Sequence, residues 1–563
     1  MKKRVLTLAV VAIVSEIAAI IVILTILTHV LGIGSGPSTA NAGVKHNQAN
    51  SGIKGENTSI DGDLYNIEAD ITLSENIVHV KETLKLKPND TKSSVEFTDN
   101  VIYLYVPSAN MAKTTIRSIH AYTGAGNELF RPLAISSWEL DDLMLEVKIS
   151  PGYAGIPSSD AGIPPGDAGI SAGRTGISSG YTENPPNYDG ATVAQDDYPA
   201  AISREEMLRM HEEPLIIYVE YKIVLNKNHG SISYSDNQVF LANFLITPAV
   251  YRDGRPIFIH SSSFGDPYLY DVNNYRIAFN MAENYEILAP GEKKILQGNT
   301  HEIQHGDILE FQQAGSYEFQ QDGSRGETQC QKIVFTAMDL RDFPVVMLKN
   351  ENQVSSSEIH VERIYNTDIY FINSKAASEY VKEAFSFAVE KIGPYPFEKL
   401  FVVRAPISLQ GMEYSNMIFI AESCFSSNNK DDFARVLYHE IFHQWFYGII
   451  GTDQVNEPFL DEGIVNYLAM ALKGNMPGNT YDKRFTGMGL KNYSSRDEYY
   501  RLAYNDAAIY FANIHRELGN DFYKLLQLIY NEKRFSIMCF DEFLQYVQHM
   551  KNSKSFENGR LMF

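Results

Sequence analysis

The stretch that decides the fold is His439-Glu440-Ile441-Phe442-His443-Gln444-Trp445-Phe446-Tyr447-Gly448-Ile449-Ile450-Gly451-Thr452-Asp453-Gln454-Val455-Asn456-Glu457-Pro458-Phe459-Leu460-Asp461-Glu462-Gly463. On a helix, His439 and His443 stand one turn apart on one face, so both imidazoles reach a common point. Glu440 lies about 100° round from His439, close enough to hold a water without being a ligand. Two ligands do not complete a catalytic zinc site, which needs three protein donors and one open position. Glu462, on a second helix that ends near Gly474, is the candidate for the third. The competing reading is an amphipathic helix that happens to carry polar residues. Leu437, Ile441, Phe442 and Trp445 make the first helix a buried one, and two unpartnered histidines would be costly to desolvate there. Trp445, Phe446 and Ile449 are expected to be packing around the site.

Outward from this stretch, "DDFARVLYHEIFHQWFYGII" (431–450) reads as one helix with acidic residues at its start, where they favour the dipole. Before it, "SKAASEYVKEAFSFAVEKIGP" has a capping candidate at Ser374, apolar residues at helical spacing and a stop at Gly393-Pro394. Two short strands, "KLFVVRAPI" and "NMIFIAE", lie between these helices. From 61 to 350 the pattern is instead strand-like: "YNIEADITLSENIVHVKETLKLK" alternates apolar and polar positions, and "EPLIIYVEYKIVL", "QVFLANFLI" and "YRIAFNMA" continue it. The expected fold is α+β, a β-rich domain at 61–350 followed by a mixed α/β domain at 351–563.

Four seven-residue repeats, Ala154 to Tyr181, interrupt the β-rich part and run into a Pro/Asp/Asn-rich segment. Gly, Pro and Ser at this density cannot bury a core, so 152–199 is expected to be a disordered insertion. At the N-terminus, Lys2, Lys3 and Arg4 precede an apolar run to about Val30, long enough as a helix to cross a hydrocarbon core of roughly 30 Å. Residues 1–33 are read as one transmembrane signal-anchor and 34–60 as a flexible stalk. The remainder would be exported, and secreted should Ala40-Asn41-Ala42 serve as a cleavage site. With 48 basic against 69 acidic residues the formal charge is −21, which repels phosphate backbones and excludes nucleic acid as a partner. Cys330, Cys424 and Cys539 are too few and too scattered for a disulfide framework or a cysteine zinc knuckle.

The motif, with 18 residues between His443 and Glu462, resembles the signature of the aminopeptidase N family of gluzincin zinc metallopeptidases, which includes the leukotriene hydrolases. The family's Gly-x-Met-Glu-Asn segment is matched upstream by "QGMEYSNMIFI". The resemblance implies a saddle-like β-domain before a thermolysin-like catalytic domain, one Zn²⁺ per chain and peptide substrates. It implies zinc ligation by His439, His443 and Glu462, with Glu440 as the base that takes a proton from water and passes it to the leaving amine. It also implies Glu413 as the anchor of the substrate's α-amino group and Gly411 and Met412 as the strand edge beside the peptide. A tyrosine is expected to stabilise the oxyanion. Leu518-Gly519, with Tyr523 at the family's Phe position, makes Tyr504 the match, with Tyr499, Tyr500 and Tyr510 as rivals.

This sequence departs from the family in three places: Gln410 at the first glycine, Tyr414 for asparagine, and Asp506-Ala507 where Lys-Gly is common. The chain ends at Phe563, without the large helical C-terminal domain of many relatives, which leads to the expectation of a more open cleft. The function expected is zinc-dependent peptide hydrolysis, most simply as an aminopeptidase. The alternatives are an endopeptidase or other small-substrate hydrolase on the same site, and a catalytically silent scaffold.

Overall fold

The computed structural model describes residues 66–86, 101–123, 131–153, 215–262, 264–282, 285–296, 330–349 and 359–560. The signal-anchor at 1–33, the stalk at 34–60 and the insertion from 154 onward lie outside them. The first two positions of the expected insertion are part of the strand Met144–Tyr153. Among the described residues no helix is long and apolar enough to cross a membrane.

Up to Lys349 the described residues form strands, with one helical turn at Ser108–Met111. An eleven-stranded sheet holds Ile67–Ser74, Ile77–Leu86, Leu215–Val224 and Asn273–Ala282 as consecutive neighbours or near neighbours, and a five-stranded sheet holds Gln238–Leu241 and Val345–Lys349. The pairs are mostly antiparallel, with Ile67–Ser74 and Asn273–Ala282 parallel. The alternation read from the sequence is that of one buried face: Ile67, Ala69 and Ile71, then Val78, Val80 and Leu84, enter one cluster with Ile217, Val219 and Tyr221.

Glu82 departs from this apolar pattern. It is fully buried, and its Oε2 accepts from the Tyr221 hydroxyl at 2.6 Å and the Ile246 amide at 3.0 Å, while Oε1 has no partner among the described residues. Burial pushes its pKa up to about 8, against the lowering effect of those two bonds. A carboxyl raised in the folded state contributes stability that is complete below its unfolded value and lost as pH rises through the folded one. Relative to Glu82→Gln, which keeps the acceptor but cannot ionise, the natural chain should therefore lose stability between pH 4.5 and 8 at up to about 1.4 kcal/mol per pH unit. Thermal melts of both chains across that range would check it; a constant difference would contradict it.

From Ile359 the architecture changes. We number the elements of this part alone: β1 (Ile359–Ile364), β2 (Thr367–Ile372), α1 (Ser378–Lys391), β3 (Lys399–Ala405), β4 (Gly411–Tyr414), β5 (Met417–Ala421), α2 (Lys430–His443), α3 (Pro458–Leu472), α4 (Ala507–Leu518), α5 (Asp521–Lys533) and α6 (Phe540–Arg560). The sheet order is β1-β2-β3-β5-β4; β2, β3 and β5 run parallel and β4 pairs antiparallel at the edge. Val381, Ala384, Phe385 and Ala388 of α1 recur at helical spacing and join the core with Leu437 and Ile441 of α2. From Pro458 to Ala469 α3 is buried on all sides, as its apolar composition requires.

Two local readings are corrected. Ser374 does not cap α1: a 3₁₀ turn at Lys375–Ala377 intervenes, and its hydroxyl donates to the Val402 carbonyl at 2.6 Å, tying the chain to β3. The zinc-motif helix stops at His443, well short of Ile450. Beyond it the chain is held by tertiary contacts. Arg341, 1 % exposed, donates to the carbonyls of Tyr447, Tyr270, Ile449 and Ser536, drawing 447–450 out of helical geometry. Tyr447 consequently sits at φ 126°, a strained value for a non-glycine residue. Trp445, Phe446 and Ile449 are fully buried, as expected of packing residues.

Candidate active site

The side chain of Asn429 caps α2 by accepting from the amides of Asp431 and Asp432, whose carboxylates favour the helix N-terminus. Two turns later the helix delivers His439 and His443, their Nε2 atoms 3.1 Å apart. Helix α3 crosses beside it and brings Glu462 Oε2 to 3.1 Å from His439 Nε2 and 3.5 Å from His443 Nε2. The donor atoms of these three residues all lie within 4.8 Å of one another. Bonds of about 2.0–2.1 Å meeting at a tetrahedral angle would span about 3.3 Å, so the set fits one zinc ion. Two buried imidazole nitrogens facing each other beside a carboxylate are a poor arrangement without a cation between them.

A second layer holds the ligands. His443 Nδ1 faces the Phe446 carbonyl at 3.0 Å and Asp461 Oδ1 at 3.1 Å, two acceptors that place a proton on Nδ1 and leave Nε2 as the atom facing the site. Asp461 Oδ2 accepts from Gln454 Nε2 at 2.6 Å, and the same amide donates to Glu413 Oε1 at 3.2 Å. One glutamine thus joins the expected amine anchor to the carboxylate that orients His443. Burial pushes His443 down, but Glu413, Asp461 and Glu462 outweigh it and hold the ring above its usual range. His439 is lowered, chiefly by burial. Burial also acts to raise Glu462, but its bonds to the two histidines leave it below the usual carboxylate range.

Glu440 is not part of this donor set. It is 5 % exposed and its Oε2 has no partner among the described residues; burial pushes its pKa up to about 8. Its neighbour is the main chain of β4. A Cβ placed on Gly411 would lie 2.2 Å from Glu440 Oε1 and 2.5 Å from its Cδ, so glycine is what makes room for the carboxylate. Glu413, two residues on and therefore on the same strand face, is 4 % exposed and raised well above its usual value by burial. Met412 lies between them on the opposite face, its side chain buried in a cluster with Tyr414 and Phe419, so it offers the edge only its main chain. Tyr414, at the position of the family asparagine, is 1 % exposed in the same cluster and packs on Phe419 at 5.0 Å.

Of the tyrosines, Tyr504 is the one stacked on a proposed ligand, 5.5 Å and 11° from the His439 ring. It belongs to a π-helical turn, Tyr500–Asp506, a wide geometry frequent at functional sites. Its carbonyl is held by Asn466 Nδ2 at 3.2 Å, and its hydroxyl pKa is raised by burial and by Glu462. Tyr499 and Tyr500 pack on Tyr504 at 5.5 and 4.9 Å. Tyr510 packs in the core on Phe485 and Phe540.

Three residues escaped the sequence reading. Asp461 is adjacent to Glu462 and could have been suspected from that position; Gln454 carried no signal. Asp266 comes from the β-rich part of the chain. Its loop is docked by Phe264, 5.6 Å from the Tyr499 ring, and by Gly265, whose Cβ would meet Leu490 at 2.5 Å and Tyr499 at 2.9 Å. Burial, then the neighbouring Glu462, pushes Asp266 up to about 7, and its charge in turn acts on Glu413 and Glu440.

Comparison with known proteins agrees with this geometry. Residues 376–553 match the sequence model of the Peptidase family M1 domain. The fold is similar to that of Legionella pneumophila aminopeptidase A in complex with aspartic acid, at 14% identity and a TM-score of 0.51 over 87% of this chain and 48% of that one. A mutant M1 zinc metallopeptidase from Deinococcus radiodurans aligns at 10% identity and a TM-score of 0.46, over 87% of this chain and 91% of that one. The chain thus spans about half the length of the Legionella protein, and at these identities the likeness is one of fold. Within that fold, the stretch that matches the Peptidase family M1 domain carries α1, the edge strand and all three candidate metal ligands.

Proposed function

We propose that this chain is a zinc aminopeptidase that removes residues from the N-termini of peptides. The observation that carries this reading is the convergence of His439, His443 and Glu462 next to Glu440, a buried carboxylate with one oxygen unpartnered among the described residues. A zinc ion held by those three residues would supply Lewis acidity, polarising the scissile carbonyl and making water a better acid. Glu440 takes the proton from the attacking water and hands it to the departing amine. The hydroxyl of Tyr504 donates to the oxygen that gains charge in the transition state. The free edge of β4 pairs with the peptide main chain, and Glu413, steadied by Gln454, binds the α-ammonium group. The basic flank and apolar run before Val30 support export with the N-terminal segment kept as a membrane anchor.

Amine recognition separates an aminopeptidase from an endopeptidase. Peptides with a free N-terminus should be cut about 10- to 100-fold faster, as kcat/KM, than their N-acetylated forms, the effect of one charge-assisted bond in a dry site. Equal rates would remove Glu413 from the assigned role and leave an endopeptidase.

A further inference from the structure

Arg435 stands one turn before His439 on α2, on the same face of the helix. It is exposed, whereas every residue from Val436 to His443 is buried. Its Nη2 donates to Gln410 Oε1 at 3.1 Å. Gln410 immediately precedes Gly411, and its carbonyl accepts from the Ala421 amide at 3.0 Å, so this end of the edge strand is fixed. Among the described residues no carboxylate pairs with Arg435, although Asp431 and Asp432 lie in the preceding turn; Asp432 is engaged by Asn429. The guanidinium is nevertheless close enough to act on His439 and Glu440.

The order along the strand gives this cation a meaning. Glu413 lies at one end, Gly411 is beside Glu440 about 7 Å away, and Gln410 continues in the same direction. A peptide whose α-ammonium group is at Glu413 must carry its chain beyond the cut bond toward Gln410 and Arg435. Along the strand there is therefore a carboxylate at the amine end, the reacting centre in the middle and, at the leaving end, a guanidinium that pairs with no carboxylate among the described residues. Of the five N–H donors of that guanidinium, the bond to Gln410 uses one. The planar fork suits a carboxylate.

We infer that Arg435, positioned by Gln410, is a specificity-determining residue that binds a carboxylate on the leaving side of the peptide. That chemistry is shared by the C-terminus of a di- or tripeptide and by an acidic side chain in a longer chain. The inference rests on the reading of Glu413 as the amine anchor and of His439, His443 and Glu462 as the zinc site.

The test compares three peptides on the full-length chain: Leu-Gly-Gly as the free acid, the same peptide as its C-terminal amide, and Leu-Asp-Gly as the amide. Because the guanidinium is exposed, kcat/KM for a carboxylate-bearing peptide should exceed that for the plain amide by about three- to tenfold. The preference should shrink at high salt. In Arg435→Gln the ratios should fall to near one, and Arg435→Lys should retain part of them. A preference confined to the free acid assigns the C-terminus, and one confined to the aspartyl peptide assigns a side chain. A ratio near one in the natural chain overturns the inference, as does a ratio unchanged by Arg435→Gln, or an equal loss on all three peptides, which would mean only support for the strand. Calorimetric binding of the same peptides to Glu440→Gln reads the ratio without turnover. Absent hydrolysis with a persisting binding ratio would count against the peptidase reading alone.

Discussion

Glu440→Gln is expected to lower kcat on aminoacyl substrates by about 10³- to 10⁴-fold while leaving the metal content at one ion per chain. The donor set is complete without this residue: His439, His443 and Glu462 converge on their own, and Glu440 turns its Oε1 toward Gly411 instead. Glutamine has the same shape, so it keeps the contact with the strand and the packing of α2. It cannot accept a proton. Kinetics on a leucyl reporter, with elemental analysis of the same preparation, would check both halves of the expectation. Hydrolysis at the natural rate would remove Glu440 from the mechanism, and loss of metal together with activity would make it part of the binding site.

The second large effect is expected at a residue with no side chain. In Gly411→Ala the new Cβ would lie 2.2 Å from Glu440 Oε1 and 2.6 Å from its Cγ, far inside contact distance. The atoms in its way belong to one side chain, so the fold can adjust by rotating Glu440 off its position. Stability should change by only about 1 kcal/mol, whereas displacing the base should lower kcat by about 10³-fold. The two substitutions act on one group, so Gly411→Ala combined with Glu440→Gln should be no slower than Glu440→Gln alone. Additive losses would show that Gly411 serves the reaction independently, through the main-chain edge it offers the peptide.

These two residues also show what could be read in advance. His439, Glu440 and His443 are placed by the period of a single helix, so local rules suffice for them, whereas Glu462 joins them only because α3 crosses α2. The strand alternation before Lys349 was likewise legible, because one face of each strand is buried. The helix end was not. Apolar residues continue to Ile450 with Gln444 and Gly448 among them, yet the helix stops at His443, and the carbonyls of Tyr447 and Ile449 beyond it bind Arg341 from the β-rich part of the chain. The same holds for Asp266, whose docking on Tyr499 is a contact between segments with no sequence relation.

The sequence by itself thus determined that His439, Glu440 and His443 share one stretch of helix, since their order follows from spacing along it. Only the tertiary structure decided how that stretch is surrounded. It stacked Tyr504 on His439, packed Tyr510 against Phe485 and Phe540, buried Met412 with Tyr414 and Phe419, and linked Glu413 to His443 through Gln454 and Asp461. Those outcomes depend on how helices and an edge strand cross one another, and a crossing is set by the packing of whole faces, to which no single stretch of sequence is privy.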